Sequence, residues 1–434
     1  MNICIIGGGP TGLTAGYELI KKGHRISIYE CEERCGRLVD TVQIGNKKLE
    51  KFYHHLFTSD SDIIKLIDEL NLSSGLSWIS PKNGIYINSR LYSLSSPSDL
   101  LLFKELSFAE RLSLGNLLLK ALLITNWKKL ESVTAREWVV KHSGENVYKK
   151  VWEPLLYSKF DQDAEQISAV WLWNRIKLRS STRRKTLMSE VLGYLNGSFQ
   201  VLYEKLASKI KERGGTIECS KCVSRITPKG DRSLEVICDN QKENFERVII
   251  TSAPSLMRDL GLPLPGWYLE KLEKIKYKAN ICMIVELTRP LSPYYWITVA
   301  EKDFPFIAVI EHTNLVSFNG YGCSVVYLSR YIDDTSDLFL SSDEMVRERF
   351  INCLKRMFPQ WDETTIVNVH VNRARYVQPV ICTGYSQIIP RFKTPIDNVY
   401  LASMAQIYPR DRGQSNAIKM GKSIARIVDS SESN

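Results

Sequence analysis

The segment that decides the fold is Asn2-Ile-Cys-Ile-Ile-Gly-Gly-Gly-Pro-Thr-Gly12. It begins as a short apolar run of the type that is buried in a parallel sheet, and it ends in a glycine turn. A helical pattern follows as far as Ile20, and a second strand, Arg25–Tyr29, leads directly into Glu30. A strand, a glycine turn, a helix and a second strand that ends in an acid together predict a dinucleotide-binding α/β fold.

Each residue of the glycine turn has a mechanical purpose in such a fold. Gly7 permits the tight turn, Gly9 lets the backbone approach a pyrophosphate, and Gly12 lets the helix pack on the sheet. Pro10 and Thr11 begin the helix, where unpaired N–H groups and the positive end of the helix dipole attract phosphates. We therefore expect all five residues to take part in dinucleotide binding.

Glu30 is the predicted ribose ligand. It follows Gly12 by 18 residues, where a carboxylate can accept hydrogen bonds from both ribose hydroxyls. Because a carboxylate also repels a 2′-phosphate, Glu30 disfavours NADP at this site.

A second segment resembles a motif of the flavin amine oxidase superfamily. Glu30-Cys-Glu-Glu-Arg-Cys-Gly-Arg37 is similar to the acid and the Gly-Gly-Arg-like turn of that superfamily, although Cys35 stands where the family prefers glycine. The resemblance implies that Gly36 and Arg37 contact the pyrophosphate of FAD.

A third segment, near the C-terminus, resembles the closing FAD motif of the same superfamily. Residues 395–404 have the pattern of a strand that enters a loop, and Arg410–Ala417 then leads into a helical pattern. The resemblance implies that Asp411, Gly413 and Asn416 contact the flavin and its ribityl chain. It also implies FAD, rather than NAD, as the cofactor.

Patches between these motifs are similar to protoporphyrinogen oxidases and carotenoid desaturases. Leu195–Leu202 resembles a segment that opens a helix in those proteins, and a predicted strand, Thr216–Ile226, follows it. The resemblance implies that Val223 lies over the adenine side. It also implies that Glu246–Pro254 returns towards the cofactor, with Ala253 beside it.

The expected fold class is α/β, with a Rossmann-like FAD-binding domain, built on a doubly wound parallel sheet, and an inserted α+β substrate domain. A chain of 434 residues is long enough for two intertwined domains. We assign residues 1–85, 190–254 and 385–430 to the FAD-binding domain, and 86–189 and 255–384 to the substrate domain. Ser107–Glu110 is a predicted capping box at the start of a helix. The predicted strands of the substrate domain are Ala279–Leu287, Phe306–Glu311 and Cys323–Ser329.

The candidate catalytic residues are His54 and His55. They lie in Glu50-Lys-Phe-Tyr-His-His-Leu-Phe57, which resembles the region of UDP-galactopyranose mutases that passes beside the flavin. Histidine titrates near neutral pH, so either side chain is a candidate for proton transfer. The alternative is that one histidine packs in the core while the other is solvated.

The segment after the Ala-Pro turn argues against a plain amine oxidase. Many amine oxidases of the superfamily hold a lysine there, near the flavin, but residues 253–260 contain Arg258 and no lysine. The resemblance thus favours the protoporphyrinogen oxidase and desaturase branches, or a relative without net redox chemistry.

The leading hypothesis is an FAD-dependent oxidoreductase that acts on an organic small molecule, either anionic or lipid-like. The alternative is a flavin-dependent isomerase of a nucleotide sugar, like UDP-galactopyranose mutase, and a third class is a non-catalytic flavoprotein. A formal net charge of +10 favours an anionic substrate or a membrane surface. No nucleic-acid-binding motif accompanies this charge, so we expect no nucleic-acid partner. Weaker candidates for the substrate site are Glu311, His312 and Thr313, three arginines, Arg330, Arg373 and Arg375, and two tyrosines, Tyr385 and Tyr408.

Cysteine usage and the N-terminal pattern predict a cytoplasmic protein with reduced thiols. The ten cysteines are spread along the chain, and its start lacks the pattern of a signal peptide. Cys219 and Cys222 form a C-x-x-C pair without a second such pair, so we expect strand packing there and no bound metal.

The apolar stretch Leu112–Ile124 is compatible with two structural interpretations. It is too short and too polar to span a bilayer, because Asn116 and Lys120 interrupt it. It is either an ordinary buried helix or an amphipathic helix that makes a peripheral contact with a membrane.

Overall fold

The computed structural model describes residues 1–96, 99, 102–181, 190–316 and 320–430. The strands β1 to β20 are, in order, Asn2–Ile6, Arg25–Tyr29, Thr41–Ile44, Lys47–Glu50, Leu56–Phe57, Leu76–Ile79, Asn83–Ile87, Arg90–Ser93, Leu192–Leu195, Thr216–Glu218, Val223–Pro228, Leu234–Cys238, Gln241–Phe245, Arg247–Ile250, Tyr277–Leu287, Trp296–Val299, Ala308–Glu311, Ser324–Ile332, Ile366–Pro379 and Val399–Leu401. The helices of at least two turns, α1 to α10, are Pro10–Ile20, Ser61–Glu69, Phe108–Leu123, Ala135–Ser143, Glu153–Phe160, Ala169–Ser181, Gln200–Glu212, Gly266–Glu273, Asp343–Met357 and Gln414–Ser430.

A five-stranded parallel sheet with the order β10-β2-β1-β14-β20 forms the first half of the fold. Its central strand β1 is apolar, and its buried residues pair with those of both neighbours, as Ile5 does with Ile28 and Ile249. Helix α1 packs close to β1 and the turn that follows it: a Cβ on Gly12 would lie 3.3 Å from Cγ2 of Ile5 and only 2.0 Å from the carbonyl oxygen of Gly7. The predicted packing role of Gly12 is therefore confirmed.

The two faces of this sheet are covered differently. Helices α1, α7 and α10 bury apolar side chains on one face. On this face α10 lies directly against α1, since a Cβ on Gly421 would be 2.6 Å from the carbonyl oxygen of Thr11. The antiparallel sheet β11-β12-β13 packs on the other face. The predicted parallel sheet is confirmed, but this second face differs from a doubly wound arrangement, which would carry helices there.

A seven-stranded mixed sheet with the order β19-β15-β18-β17-β16-β7-β8 forms the second half of the fold. The three strands predicted between residues 255 and 384 correspond to β15, β17 and β18. A helical group packs beside this sheet around a separate core, and α3 begins with the predicted capping box of Ser107 and Glu110. Strand β7 crosses residue 85, where we placed a domain boundary, and the boundaries themselves stay a prediction. Within the described residues, no helix is both long enough and apolar enough to cross a membrane.

Two expectations about the cysteines are wrong. The predicted strand Thr216–Ile226 is divided, because β10 belongs to the parallel sheet whereas β11 starts the three-stranded sheet. The connecting loop passes the end of β2, where Cys222 forms a disulfide bond with Cys31. Beside it, the Sγ atoms of Cys35 and Cys219 lie 3.8 Å apart. The loop that follows β2 is therefore tied covalently to the loop that enters β11, and not all thiols are free.

We expect this disulfide to stabilise the protein. It closes a segment of 191 residues, and a native disulfide contributes about 2–4 kcal/mol to the free energy of unfolding. Dithiothreitol should lower the urea midpoint of the native chain and leave that of the Cys31→Ser variant unchanged. The control is Cys382→Ser, which removes a cysteine that is not in a disulfide bond. Its urea midpoint should fall in dithiothreitol as that of the native chain does. Identical native midpoints with and without reductant would contradict the assignment.

Candidate functional site

A cavity of about 1050 Å³ lies between the parallel sheet and the seven-stranded sheet. Every residue predicted to bind the cofactor lines it except Gly12, which lies beneath the turn in contact with β1. The lining residues from that prediction are Gly7, Gly9, Pro10, Thr11, Glu30, Gly36, Arg37, Val223, Ala253, Asp411, Gly413 and Asn416. Segments that are hundreds of residues apart in sequence therefore meet at one cavity.

The glycine turn leaves room for a ligand at the start of α1. Gly7 has a φ of +107°, a conformation that side-chain-bearing residues rarely adopt. A Cβ on Gly9 would meet no atom within 4 Å, so the backbone at this point borders open cavity. Gly9 is also the N-cap residue of α1, and no side chain caps the helix there. The N–H groups of the first turn are thus available to an anion.

Glu30 lies at the carboxyl end of β2 and is only 4% exposed. Its Oε2 accepts a hydrogen bond from the backbone N–H of Gly8 at 2.7 Å, and its Oε1 accepts one from that of Glu32 at 3.0 Å. These bonds fix the carboxylate beside the glycine turn, which is where the ribose ligand is predicted.

His54 and His55 both line the same cavity. Nδ1 of His54 lies 2.6 Å from the carbonyl oxygen of Phe52, and Nδ1 of His55 lies 2.9 Å from Oη of Tyr295. Burial, and to a smaller extent nearby arginines, lowers the pKa of His54 to about 4 and that of His55 to about 3. Both imidazoles are therefore neutral at physiological pH, and the expectation that they titrate near pH 7 is wrong.

A cluster of charges forms another wall of the cavity. Asp411 is 8% exposed, and its carboxylate forms a salt bridge of 2.8 Å with Arg175 of α6. Burial alone would raise the pKa of Asp411, but Lys159, Arg175 and Arg412 hold it below its ordinary value. Three cations thus surround one carboxylate.

Lys159, on α5, is the exceptional member of this cluster. It makes no hydrogen bond or salt bridge with any residue that the structure describes, and its Nζ lies 5.5 Å from the ring centre of Trp171 and 5.1 Å from that of Tyr331. Burial lowers its pKa well below the ordinary value; the charge of Asp411 favours the ammonium form, whereas Arg175 and Arg412 oppose it. The cavity wall therefore contains a lysine that no described carboxylate binds directly, and an anionic ligand beside it would favour its ammonium form.

This geometry agrees with the comparison to known families. The chain matches the family described as flavin containing amine oxidoreductase over residues 10–427. It belongs to that family. FAD is accordingly its cofactor, and the open glycine turn, the uncapped start of α1 and the fixed carboxylate of Glu30 suit a dinucleotide.

Individual relatives are distant. A mitochondrial protoporphyrinogen oxidase of Nicotiana tabacum is 26% identical over 224 residues, which are 49% of this chain and 44% of that protein. The chain thus matches less than half the length of this curated relative. Two solved structures share the fold. A putrescine oxidase variant has a TM-score of 0.75 and 15% identity, with 99% of both chains covered. Reduced UDP-galactopyranose mutase has a TM-score of 0.74 and 16% identity, with 99% of this chain and 95% of the mutase covered.

The weaker sequence candidates do not reach the cavity of this flavin amine oxidoreductase. The three arginines instead form salt bridges with aspartates, in the pairs Arg330–Asp161, Arg373–Asp343 and Arg375–Asp334. Tyr385 and Tyr408 pack against each other within the helical group, and His312 is buried. Lys159 and Arg412 line the cavity but were not predicted as site residues from the sequence. No sequence pattern could have identified Lys159.

Glu50 holds the segment that carries the two histidines. It is fully buried, and its carboxylate accepts hydrogen bonds from Oη of Tyr194 at 2.7 Å and from the backbone N–H of Phe199 at 2.5 Å. Burial nevertheless raises its pKa from 4.5 to about 7.

We expect Glu30→Gln to weaken FAD binding about 10- to 100-fold. An amide has a single acceptor oxygen, so it cannot serve Gly8, Glu32 and the ribose together, and hydrogen bonds to charged groups contribute about 1.5–3 kcal/mol each. Fluorescence titration of the apoprotein with FAD measures the change. Glu33→Gln, an exposed change in the same loop, is the control, and equal affinities of the two variants would refute the role of Glu30.

We expect Glu50→Gln to remove part of the pH dependence of stability. Because the pKa of Glu50 is higher in the folded state, its contribution is complete below pH 4.5 and is lost as the pH rises through 7, a change of about 3 kcal/mol. Urea unfolding at pH 5 and pH 8 should show a smaller loss in the variant than in the native chain.

Glutamine can still accept the bond from Phe199, and the histidines are common to both proteins, so the comparison isolates Glu50. The exposed substitution Glu344→Gln should keep the native pH dependence. A loss that is equal in Glu50→Gln and the native chain would contradict the raised pKa.

Proposed function

We propose that the protein is an FAD-dependent oxidoreductase that removes a hydride from a C–H bond of an anionic organic molecule. Bound FAD supplies the hydride acceptor. The protein then has to bind the substrate, orient it and keep water away from the reacting atoms.

The observation that carries this proposal is Lys159, a basic side chain of the cavity wall to which no described carboxylate is bound. Asp411 offsets one of the three positive charges around it, and its carboxylate is already held by Arg175. A carboxylate or phosphate of a substrate would supply the missing charge to Lys159. Charge-assisted bonds of this kind are the strongest hydrogen bonds available to a protein in a partly desolvated site.

Aromatic side chains supply the surface for the organic body of the substrate. Arg412 donates a hydrogen bond of 2.6 Å to Oη of Tyr331, which lies 3.1 Å from Oη of Tyr53. Tyr53 packs edge-on against Trp296, and all of these residues line the cavity. A cationic end beside an aromatic wall suits a molecule with an acidic group on an unsaturated or cyclic frame.

His54 and His55 are proposed as the catalytic residues of this site. Since both are neutral, each can orient a substrate through one ring nitrogen while the other nitrogen is held, in His55 by Tyr295. The segments 86–189 and 255–384, which provide Lys159, Arg175, Trp296 and Tyr331, are proposed as the substrate domain.

A second candidate is a flavin-dependent isomerase of a nucleotide sugar. The segment Glu50–Phe57, which resembles UDP-galactopyranose mutases, does pass along the cavity, and the surplus cation would equally suit a diphosphate. This reaction has no net redox change, so the state of the flavin distinguishes the two candidates.

Anaerobic mixing of the holoenzyme with three probes tests the proposal. Protoporphyrinogen, a dicarboxylate, should bleach the visible absorbance of the flavin, whereas the diamine putrescine should not. Conversion of UDP-galactopyranose by dithionite-reduced enzyme, with no bleaching by protoporphyrinogen, would support the isomerase instead. Bleaching by putrescine alone would overturn the anionic substrate, and no response to any probe would favour a non-catalytic flavoprotein.

We expect Lys159→Met to raise KM for the anionic probe about 10- to 100-fold with a smaller effect on kcat, because it removes the amino group that is proposed to bind the anion. Lys302→Met is the matched control. The amino group of Lys302 also lies over an aromatic ring, that of Tyr157 on α5, but Lys302 does not line the cavity. Steady-state kinetics should show the native KM for this control. An unchanged KM in Lys159→Met would contradict the assignment.

A further inference from the structure

Helix α3 exposes a continuous apolar surface. Five of its large side chains are exposed, among them Phe108 at 69% and Leu123 at 79%. At 100° per residue these five positions fall within an arc of about 100° on the helix. We call this surface the leucine face, and it consists of Phe108, Leu112, Leu119, Leu122 and Leu123.

The opposite side of the same helix is also apolar. Leu114, Leu117 and Ala121 are buried in the core of the helical group. A helix with apolar side chains on two opposite sides normally buries both of them. Here one side already packs against the core, so the leucine face makes no contribution to the core of the protein. Exposed apolar surfaces of this kind mark interaction sites.

Three lysines flank the leucine face along the chain. Lys104 precedes it, and Lys128 and Lys129 follow it; all three are exposed and form no salt bridge with a described residue. The nearby carboxylates are engaged elsewhere: Glu110 binds Lys150 and the start of its own helix, and Glu131 binds the Ser386 backbone and Tyr408. The leucine face therefore lies between lysines that have no carboxylate partner among the described residues.

The leucine face also lies one helix away from the substrate cavity. Trp173 and Lys177 of α6 donate hydrogen bonds to the backbone of α3 and its end, at Ala121 and Ile124. The neighbouring α6 residue Arg175 belongs to the cavity wall. A molecule or a surface that binds α3 would therefore be close to the cavity wall that is proposed to bind the substrate.

We propose that the leucine face binds the surface of an anionic lipid bilayer. The helix has 16 residues and a length of about 24 Å, too short to cross a bilayer but long enough to lie in its headgroup region. Its leucines would enter the acyl boundary, while the lysines at both ends would contact lipid phosphates.

A second copy of the chain fits this surface less well. In a symmetric dimer the same patch meets itself, so the lysines of one copy would be brought towards those of the other. Lipid phosphates instead complement every one of these charges.

Flotation of the holoenzyme with vesicles tests the proposal. The native protein should float with vesicles of phosphatidylglycerol and phosphatidylcholine, and much less with phosphatidylcholine alone. The triple variant Leu112→Ser, Leu119→Ser, Leu123→Ser should remain unbound. A control triple variant at exposed apolar sites elsewhere, Leu340→Ser, Met345→Ser, Val367→Ser, should float like the native protein.

A charge variant provides a second readout that leaves the leucine face intact. Lys128→Glu with Lys129→Glu should weaken binding to anionic vesicles at least about tenfold. The control, Lys65→Glu with Lys274→Glu, reverses two exposed lysines elsewhere and should bind like the native protein. All variants should retain the flavin absorbance of the native enzyme, since none of these side chains lines the cavity.

Several results would overturn the proposal. Failure of the native protein to float with anionic vesicles is one, and unchanged flotation of both the leucine and charge variants is another. A dimer in sedimentation experiments that the leucine variant abolishes, together with no vesicle binding, would show that a second copy covers the face.

Discussion

The architecture depends on the absence of side chains at two points around α1. Gly12 lets this helix approach β1, and Gly421 lets α10 approach α1 from the other side, with 2.0 Å and 2.6 Å, respectively, between an imagined Cβ and a backbone oxygen. Because both approaches are this close, the two helices and the strand form one compact unit. The segment before α10 is thereby brought over the start of α1, which places Asp411 at the cavity.

The residues that could be predicted from the sequence are those whose function is local. Gly7, Gly9 and Glu30 form a pattern within 30 residues, and the backbone of a strand–turn–helix unit determines where they lie. The pairing of Arg175 with Asp411 joins residues 236 apart, and no local pattern reports it. Lys159 belongs to no sequence motif, because the role proposed for it depends on the side chains that surround it in the folded protein.

The second face of the parallel sheet and the cysteines illustrate the same limit. The alternating pattern of residues 216–226 correctly indicates strands, but it carries no information on the point at which the chain changes sheets. That change of sheet brings Cys222 to Cys31. The pKa values of His54 and His55 show the same limit. The residues were identified by type, but their lowered pKa values arise from burial and from arginines that are far away in the sequence.

The position of α10 has a consequence for the order in which the protein acquires its parts during synthesis. Strand β1 and the glycine turn leave the ribosome before the other parts of the cofactor site; Ile249, the partner of Ile5, follows 244 residues later, and β20 and α10 follow after that. Contacts of such high sequence separation form late and slowly, and until then the apolar strand needs protection from aggregation. The glycine turn is therefore the first part of the cofactor site to be made and among the last to become able to hold the cofactor.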